Sequence, residues 1–213
     1  MDTLTILGGT FDPIHVGHLY LATQAVQTFG GRVRLIPNGE PPHRSAVLPW
    51  HARRHMCELA VAGLDNIEVG GEEPPGQAHY TVATLSGIKN RHPETTLRLI
   101  VGEDSYAGFM RWNRPDKILH YAHLLVAARG AAAAPTLRAP PMGRLLHDEA
   151  ALESGSGGVY HWRCTPPNVS ATAVRTALAG GGDVSAMLSP VVAAYIAENE
   201  ELSRLISALT IGF

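Results

Sequence analysis

The chain has 213 residues and a formal net charge of −2, with 45% hydrophobic and 17% charged residues. This balance is ordinary for a folded globular protein and excludes a largely disordered chain. It also argues against a protein that binds nucleic acid through bulk positive charge, although it is compatible with a local basic site for a small phosphorylated ligand.

Runs of apolar and β-branched residues predict strands along the chain. They cover residues 3–7, 33–36, 67–69, 97–101, 123–128 and 159–162. Helical patterns lie between these runs, and strands that alternate with helices predict an α/β fold. The expected architecture is a parallel sheet with helices on both faces.

The helical patterns carry recognisable start and stop residues. The first predicted helix covers 17–29 and is closed by Gly30 and Gly31, and the second is opened by Pro49 and stopped by Gly63. The third is capped by Thr81 and ends at His92 and Pro93. The fourth runs from 171 to Gly180–Gly182, and the fifth follows the cap Ser189 and begins at Pro190. The alanine- and proline-rich stretch 130–143 predicts a surface excursion. Because the strand 159–162 and the helix after it are needed to complete the sheet, residues 1–213 are predicted to form a single domain.

The sequence contains no pattern typical of export, a membrane span or a metal site. No apolar stretch approaches the length of a span, and the N-terminus lacks a basic leader. The cysteines Cys57 and Cys164 have no CxxC spacing and predict two reduced thiols. The 11 histidines show neither HExxH nor mixed Cys/His spacing, so no dedicated metal site is predicted. We therefore expect a cytoplasmic protein without a membrane or nucleic-acid partner.

The segment GGTFDPIHVGH begins at Gly8, where the first predicted strand ends, and opens the first predicted helix. Gly8 and Gly9 have no Cβ atoms, so backbone N–H groups there can approach a ligand closely. Unpaired N–H groups at a helix start favour an anion, and Thr10 adds a hydroxyl donor. His15 and His18 flank the helix start and can reach the same phosphate oxygens. A polar turn with core histidines would explain an isolated HxxH, but the whole segment in this context favours a phosphate site.

A second candidate phosphate site lies in the segment NVSATAVR near the end of the chain. Ser170 is a natural N-cap for the helix that begins at 171. Thr172 and Arg175 lie three residues apart on one face, near the positive end of that helix. Hydroxyls, free N–H groups and a permanently charged guanidinium together suit a phosphate. A capped helix with one arginine gives the same pattern without a ligand, so the residues alone leave both interpretations open.

Several polar residues between positions 37 and 81 are candidates for binding a second substrate. The loop PNGEPPHR follows the second predicted strand, includes Asn38 and ends in the basic pair His43 and Arg44. Loops at the carboxyl ends of parallel strands bind ligands in such sheets, although a solvated basic turn is the alternative. Tyr80 and Thr81 place an aromatic ring and a hydroxyl at a helix start, which suits a carboxylate.

Two further candidates follow the central predicted strand 97–101. Gly102 and Asp104 end that strand, and the carboxylate suits a ribose hydroxyl, unless Asp104 caps the next helix. Trp112 offers a flat face that can stack on a planar ring. A lone tryptophan is commonly a core residue, but its arginine and asparagine neighbours argue against complete burial.

These segments resemble known motifs. GGTFDPIHVGH is similar to the HxGH signature of the nucleotidylyltransferase superfamily, and the segment from Val169 to Arg175 is similar to its ISxTxxR motif. The resemblance implies a Rossmann-like fold and transfer of a nucleotidyl group with release of pyrophosphate. With the PPHR loop, the YT pair and Trp112, the order of elements resembles bacterial nicotinate-nucleotide adenylyltransferases from Leu4 to about Ile196.

The resemblance implies a role for each candidate residue, with Mg²⁺ bound mainly by the substrate phosphates. The implied catalytic residues are His15, His18 and Arg175. The implied ATP-binding residues are Gly8, Gly9, Thr10, Phe11, His15, Gly17, His18, Gly102, Asp104, Ser170, Thr172 and Arg175. The implied residues for nicotinate mononucleotide are Asn38, His43, Arg44, Tyr80, Thr81 and Trp112.

Two residues depart from the family pattern, and several alternatives stay open. His79 stands where serine is common, and Arg111 stands where a small or hydroxyl residue is usual. Both affect the expected pyridine pocket, so the preference for the acid over the amide is less well defined than the reaction. The alternatives are a nicotinamide mononucleotide or phosphopantetheine acceptor and a non-catalytic nucleotide-sensing module. The sequence does not reveal the oligomeric state, and a homo-oligomer is left open.

Overall fold

The computed structural model describes residues 2–40, 46–76, 79–127 and 140–208. Its strands are β1 (Thr3–Gly9), β2 (Arg32–Pro37), β3 (Ile67–Val69), β4 (Thr96–Gly102), β5 (Ala122–Ala127), β6 (Arg144–Leu146) and β7 (Gly158–Trp162). They form one sheet in the order β3-β2-β1-β4-β5-β7-β6, and all neighbouring strands are parallel. Each predicted strand is present, although residue 128 lies outside the described residues. The edge strand β6 was not predicted, because its sequence Arg-Leu-Leu contains no β-branched or aromatic residue.

Helices connect the strands and follow the sheet. They are α1 (Val16–Phe29), α2 (Trp50–Val61), α3 (Thr81–Arg91), α4 (Glu103–Ala107), α5 (Pro115–Tyr121), α6 (Ala171–Ala179), α7 (Pro190–Glu198) and α8 (Glu200–Ser207). The five predicted helices are confirmed to within one residue at their starts, except that Tyr80, not Thr81, is the N-cap of α3. The short helices α4, α5 and α8 were not predicted. Across the described ranges, every helix falls short of the length and hydrophobicity that a membrane span requires.

Successive side chains along each strand pack on opposite faces of the sheet, so the protein has two hydrophobic cores. Leu124 and Val126 of β5 pack with α3 and α5 on one face. Leu125 and Ala127 pack on the other face, with α1, α2 and the C-terminal helices. The prediction of helices on both faces is confirmed. The prediction that residues 1–213 form a single domain stays a prediction.

The strand order places a crevice between β1 and β4. The chain passes from β1 outward to β2 and β3, and then returns to the other side of β1 to form β4 and β5. At such a switch point the loops after the two central strands diverge, and ligands bind at their carboxyl ends. Gly9 ends β1 and Gly102 ends β4. The first sequence motif therefore lies at the expected ligand-binding edge.

Both cysteines are buried free thiols, as the sequence predicted. Burial raises the pKa of Cys57, and it raises the pKa of Cys164 to about 12. Both therefore remain protonated at neutral pH and are poor nucleophiles.

His123 is fully buried on β5 and makes two hydrogen bonds. The Gly158 N–H donates to Nδ1 at 3.0 Å, so Nε2 carries the proton and donates to the Ser154 carbonyl at 3.1 Å. Burial lowers the pKa of His123 below its ordinary 6.5. Below that pH the unfolded chain gains a proton that the folded chain does not bind, so the free energy of unfolding should fall.

Urea unfolding between about pH 7.5 and 5.5 would measure this loss of stability. His123→Asn, which cannot titrate, should show a shallower fall than the native chain. Equal slopes in the two proteins would contradict the assignment.

Candidate active site

The two histidines of the first motif form a stacked pair at the start of α1. Their ring centroids are 3.7 Å apart and the planes differ by 21°. The His15 backbone N–H donates to His18 Nδ1 at 3.3 Å, which leaves Nε2 as the donor of the neutral ring. Phe11 packs edge-on against His18 with centroids 4.9 Å apart. His15 is buried and His18 is half-buried. The pair therefore presents His18 from a fixed position.

Two glycines of this motif lie at positions where a side chain would fill space that the site uses. A Cβ at Gly17 would lie 3.1 Å from the His15 ring and 3.4 Å from the Pro167 carbonyl oxygen. The first motif and the segment before α6 are therefore in close contact. Gly8 differs, because a Cβ there would meet no protein atom within 4 Å. The space beside Gly8 is open and can admit a ligand.

Asp12 connects the first motif to two distant segments. Its carboxylate accepts hydrogen bonds from the Val47 and Leu48 N–H groups, both at 2.9 Å. Arg175 Nη1 donates to the Asp12 backbone carbonyl at 2.6 Å and lies 3.4 Å from the Asp12 carboxylate. Asp12 is buried. Asp12 was not predicted as a site residue, because an acid has no evident use in a phosphate-binding motif.

The second motif forms the start of α6 as predicted. Ser170 is the N-cap, and its hydroxyl oxygen accepts a hydrogen bond from Ala173 N at 3.1 Å. Arg175 Nη2 lies 3.3 Å from the Thr172 hydroxyl. Through its bonds to Asp12, Arg175 joins two segments that are 163 residues apart in the chain. The two motifs therefore meet at one edge of the sheet, as the phosphate hypothesis requires.

Arg53 is a fully buried cation beneath these loops. Its guanidinium donates to three backbone carbonyls: Leu48 at 3.0 Å, Thr10 at 2.5 Å and Gly39 at 3.1 Å. Burial lowers the pKa of Arg53, and the nearby Asp12 charge partly opposes that effect. Arg53 therefore fixes the loops after β1 and β2 relative to each other. This role of Arg53 was not predictable from the sequence, because its partners are backbone carbonyls, two of them in distant loops.

A pocket opens beside the first motif. Gly8, Asn38, Thr81 and Trp112 line it, together with aliphatic side chains from β1, β2, α3 and β4. Its volume is about 120 Å³. This volume is close to the roughly 150 Å³ of a cavity that binds benzene, so the pocket is of the order of one six-membered ring in size. Trp112 is half-buried and packs on Phe109 with centroids 5.6 Å apart. Three of the predicted substrate residues therefore lie around one ring-sized space.

The other predicted residues are placed less centrally. Tyr80 is 47% exposed and does not line the pocket. Asp104 is exposed in the first turn of α4, and Gly102 is the N-cap, so the alternative that Asp104 caps this helix is wrong. His43 and Arg44 lie outside the described residues.

The model of a family described as "Cytidylyltransferase-like" matches residues 6–177, which include both motifs. The chain is 35% identical over 207 residues to a Pseudomonas putida (strain W619) protein, a match that covers 93% of this chain and 94% of the relative. It is 38% identical over 199 residues to a Laribacter hongkongensis (strain HLHK9) protein, which covers 90% of each. Both relatives carry the name "Probable nicotinate-nucleotide adenylyltransferase". The chain belongs to the cytidylyltransferase-like family and, within it, to the nicotinate-nucleotide adenylyltransferases.

A solved structure has the same fold. The Plasmodium falciparum nicotinic acid mononucleotide adenylyltransferase complexed with NaAD matches with a TM-score of 0.73 at 17% identity. The match covers 96% of this chain and 98% of that chain. The predicted Rossmann-like nucleotidyltransferase fold with C-terminal helices is therefore confirmed.

Proposed function

We propose that the protein transfers the adenylyl group of ATP to nicotinate mononucleotide, giving deamido-NAD and pyrophosphate in a step of NAD biosynthesis. The observation that carries this proposal is the bond from Arg175 to Asp12, which brings α6 beside the stacked histidines. The ring-sized pocket lies next to them and has room for a pyridine ring. The names of the relatives support the choice of acceptor.

The proposed reaction is a direct in-line displacement. An oxygen of the mononucleotide phosphate forms a bond to the α-phosphorus of ATP, and the bond from that phosphorus to the bridging oxygen of pyrophosphate breaks. The nucleophile is already anionic at neutral pH, so the protein needs to position the reactants and stabilise charge rather than supply a base. The His18 Nε2–H and the N–H groups at the start of α1 are suitable donors for the transferring phosphoryl group.

Arg175 can donate further hydrogen bonds to the β- and γ-phosphates of ATP, which depart as pyrophosphate. In the described part of the chain, its Nε is buried without a hydrogen-bond partner. Ser170 and Thr172 add hydroxyl groups at the start of α6. We assign these three residues to the β- and γ-phosphates of ATP.

Magnesium is expected to enter with the nucleotide. No group of three or more His, Cys, Asp or Glu side chains that could hold a metal ion occurs within the described ranges. The donor set therefore fits an ion that is bound by substrate phosphates and water, a common arrangement for Mg²⁺, which would neutralise phosphate charge. We retain the cytoplasm as the proposed location, in agreement with two unpaired thiols.

The test is an assay of pyrophosphate release from ATP and Mg²⁺ with one acceptor at a time. Release with nicotinate mononucleotide, and much less with phosphopantetheine, is the expected result. Binding of ATP without release with any acceptor would overturn the proposal in favour of a nucleotide-sensing module. A clear preference for phosphopantetheine would assign the protein to a sister activity.

A further inference from the structure

Glu73 is a buried carboxyl group in the wall of the ring-sized pocket. Only 6% of the residue is exposed, and the Thr84 hydroxyl donates to its Oε1 at 2.6 Å. Its Oε2 is also buried and has no hydrogen-bond partner within the described residues. A buried oxygen without a hydrogen-bond partner lowers the stability of the fold. We therefore expect a ligand to supply the missing hydrogen-bond partner of Oε2. The proposed reaction gives Glu73 no role.

Within the described ranges, the charges around Glu73 do not neutralise it. The neighbouring Glu72 takes up the nearby cations, with Arg34 Nη1 at 2.6 Å and Arg91 Nη2 at 3.6 Å from its Oε1. Among the described residues that line the pocket, His79 is the one other titratable side chain, and its Nε2 lies 3.1 Å from the Pro74 carbonyl. Burial raises the pKa of Glu73, and the Thr84 hydrogen bond and His79 only partly oppose this. The site therefore favours the neutral acid more than water does.

Glu73 lies beside the start of α3, where a substrate carboxylate is expected. Thr81 is the first residue of this 11-residue helix and Thr84 is in its first turn, and both line the pocket. The free N–H groups at a helix start attract a carboxylate. Two carboxyl groups in one small site cannot both be ionised at low cost, so they share one proton. A carboxamide differs, since its N–H₂ group is a donor that an ionised carboxylate accepts.

The backbone at Glu73 is held in place by close packing against the loop after β2. A Cβ at Gly39 would lie 2.8 Å from the Glu73 carbonyl oxygen and would also collide with the Pro74 carbonyl. The loop after β2 is thus packed directly against residues 73–74, and Arg53 donates a hydrogen bond to the Gly39 carbonyl in that loop. Glu73 is therefore part of a fixed pocket wall.

We propose that the protonation state of Glu73 decides between the acid and amide forms of the pyridine mononucleotide. Neutral Glu73 donates its Oε2–H to the nicotinate carboxylate, whereas ionised Glu73 accepts a hydrogen bond from the carboxamide of nicotinamide mononucleotide. This inference rests on the proposed adenylyl transfer and adds a residue that sets its specificity.

The experiment compares kcat/KM for the acid and the amide mononucleotide from about pH 5.5 to about 8.5. Binding of the acid requires neutral Glu73, which takes up one proton. The ratio of kcat/KM for the acid to kcat/KM for the amide should therefore fall by up to about tenfold for each unit by which the pH rises. The phosphate group also titrates near pH 6, but it is common to both substrates and cancels in the ratio. A ratio that does not change with pH would overturn the proposal.

Glu73→Gln is the decisive variant. Glutamine keeps an acceptor for Thr84 and places an N–H donor at the position of Oε2, so the ratio should become independent of pH and activity with the amide should drop. His79→Gln is the matched control and should retain the native slope. A slope that survives in Glu73→Gln and disappears in His79→Gln would assign the effect to His79 and overturn the role of Glu73.

These outcomes are distinct from failure of the proposed function. If the native chain releases pyrophosphate with neither mononucleotide, adenylyl transfer itself is wrong, and this inference falls with it. If Glu73→Gln does not fold, as judged by thermal unfolding, the native slope and its retention in His79→Gln still decide the question.

Discussion

Replacing His18 with alanine should lower kcat for adenylyl transfer by about 10²-fold or more, which is the usual effect of removing one preorganised donor from a transition state. The His15 N–H occupies Nδ1 of this ring at 3.3 Å, and the stacked His15 ring fixes its plane. The direction of its Nε2–H is thus fixed before substrate binds. Because the loss falls on the transition state, KM for ATP should change much less than kcat. Steady-state pyrophosphate release measures both constants.

His55→Ala is the matched control for this variant. His55 is a half-exposed histidine on α2 that contacts Glu58 at 3.5 Å and the Tyr195 ring, and neither of these residues belongs to the two motifs. Its replacement should leave turnover near the native value. Near-normal turnover in His18→Ala, with an unchanged unfolding temperature, would contradict the assigned role.

The sequence predicted the features whose causes are local. Ser170 caps α6 because a hydroxyl at that position can accept a hydrogen bond from the N–H three residues later. Buried strands such as β4 appear as apolar runs because both faces of the sheet are covered. The phosphate motif was recognisable because its glycines and histidines are contiguous in the chain.

Features that depend on tertiary contacts were not predictable. Arg53 and Asp12 satisfy backbone groups of loops whose positions are known only after the sheet has formed. Glu73 lies in a glycine- and proline-rich segment without periodicity, and only the fold places it against Thr84 of α3. Charged residues that bond to distant backbone groups leave no spacing pattern in the sequence.

Replacing Arg53 with methionine should lower the free energy of unfolding by about 3–5 kcal/mol. Methionine fills much of the same volume but leaves three buried carbonyls, those of Thr10, Gly39 and Leu48, without their donor. The Asp12 carboxylate would also lose the favourable charge of the guanidinium. Urea unfolding monitored by circular dichroism gives the free energy directly.

Arg54→Met separates this effect from loss of a positive charge on α2. Arg54 is the next residue, with 39% of its side chain exposed, and it pairs with Glu58 at 3.0 Å on the surface. Exposed pairs contribute about 0–1 kcal/mol, so this variant should remain close to the native chain. Similar losses in both variants would mean that burial and carbonyl bonding at Arg53 are not the cause. Because Arg53 holds the Gly39 loop against the pocket wall, Arg53→Met should also raise KM for the mononucleotide more than KM for ATP.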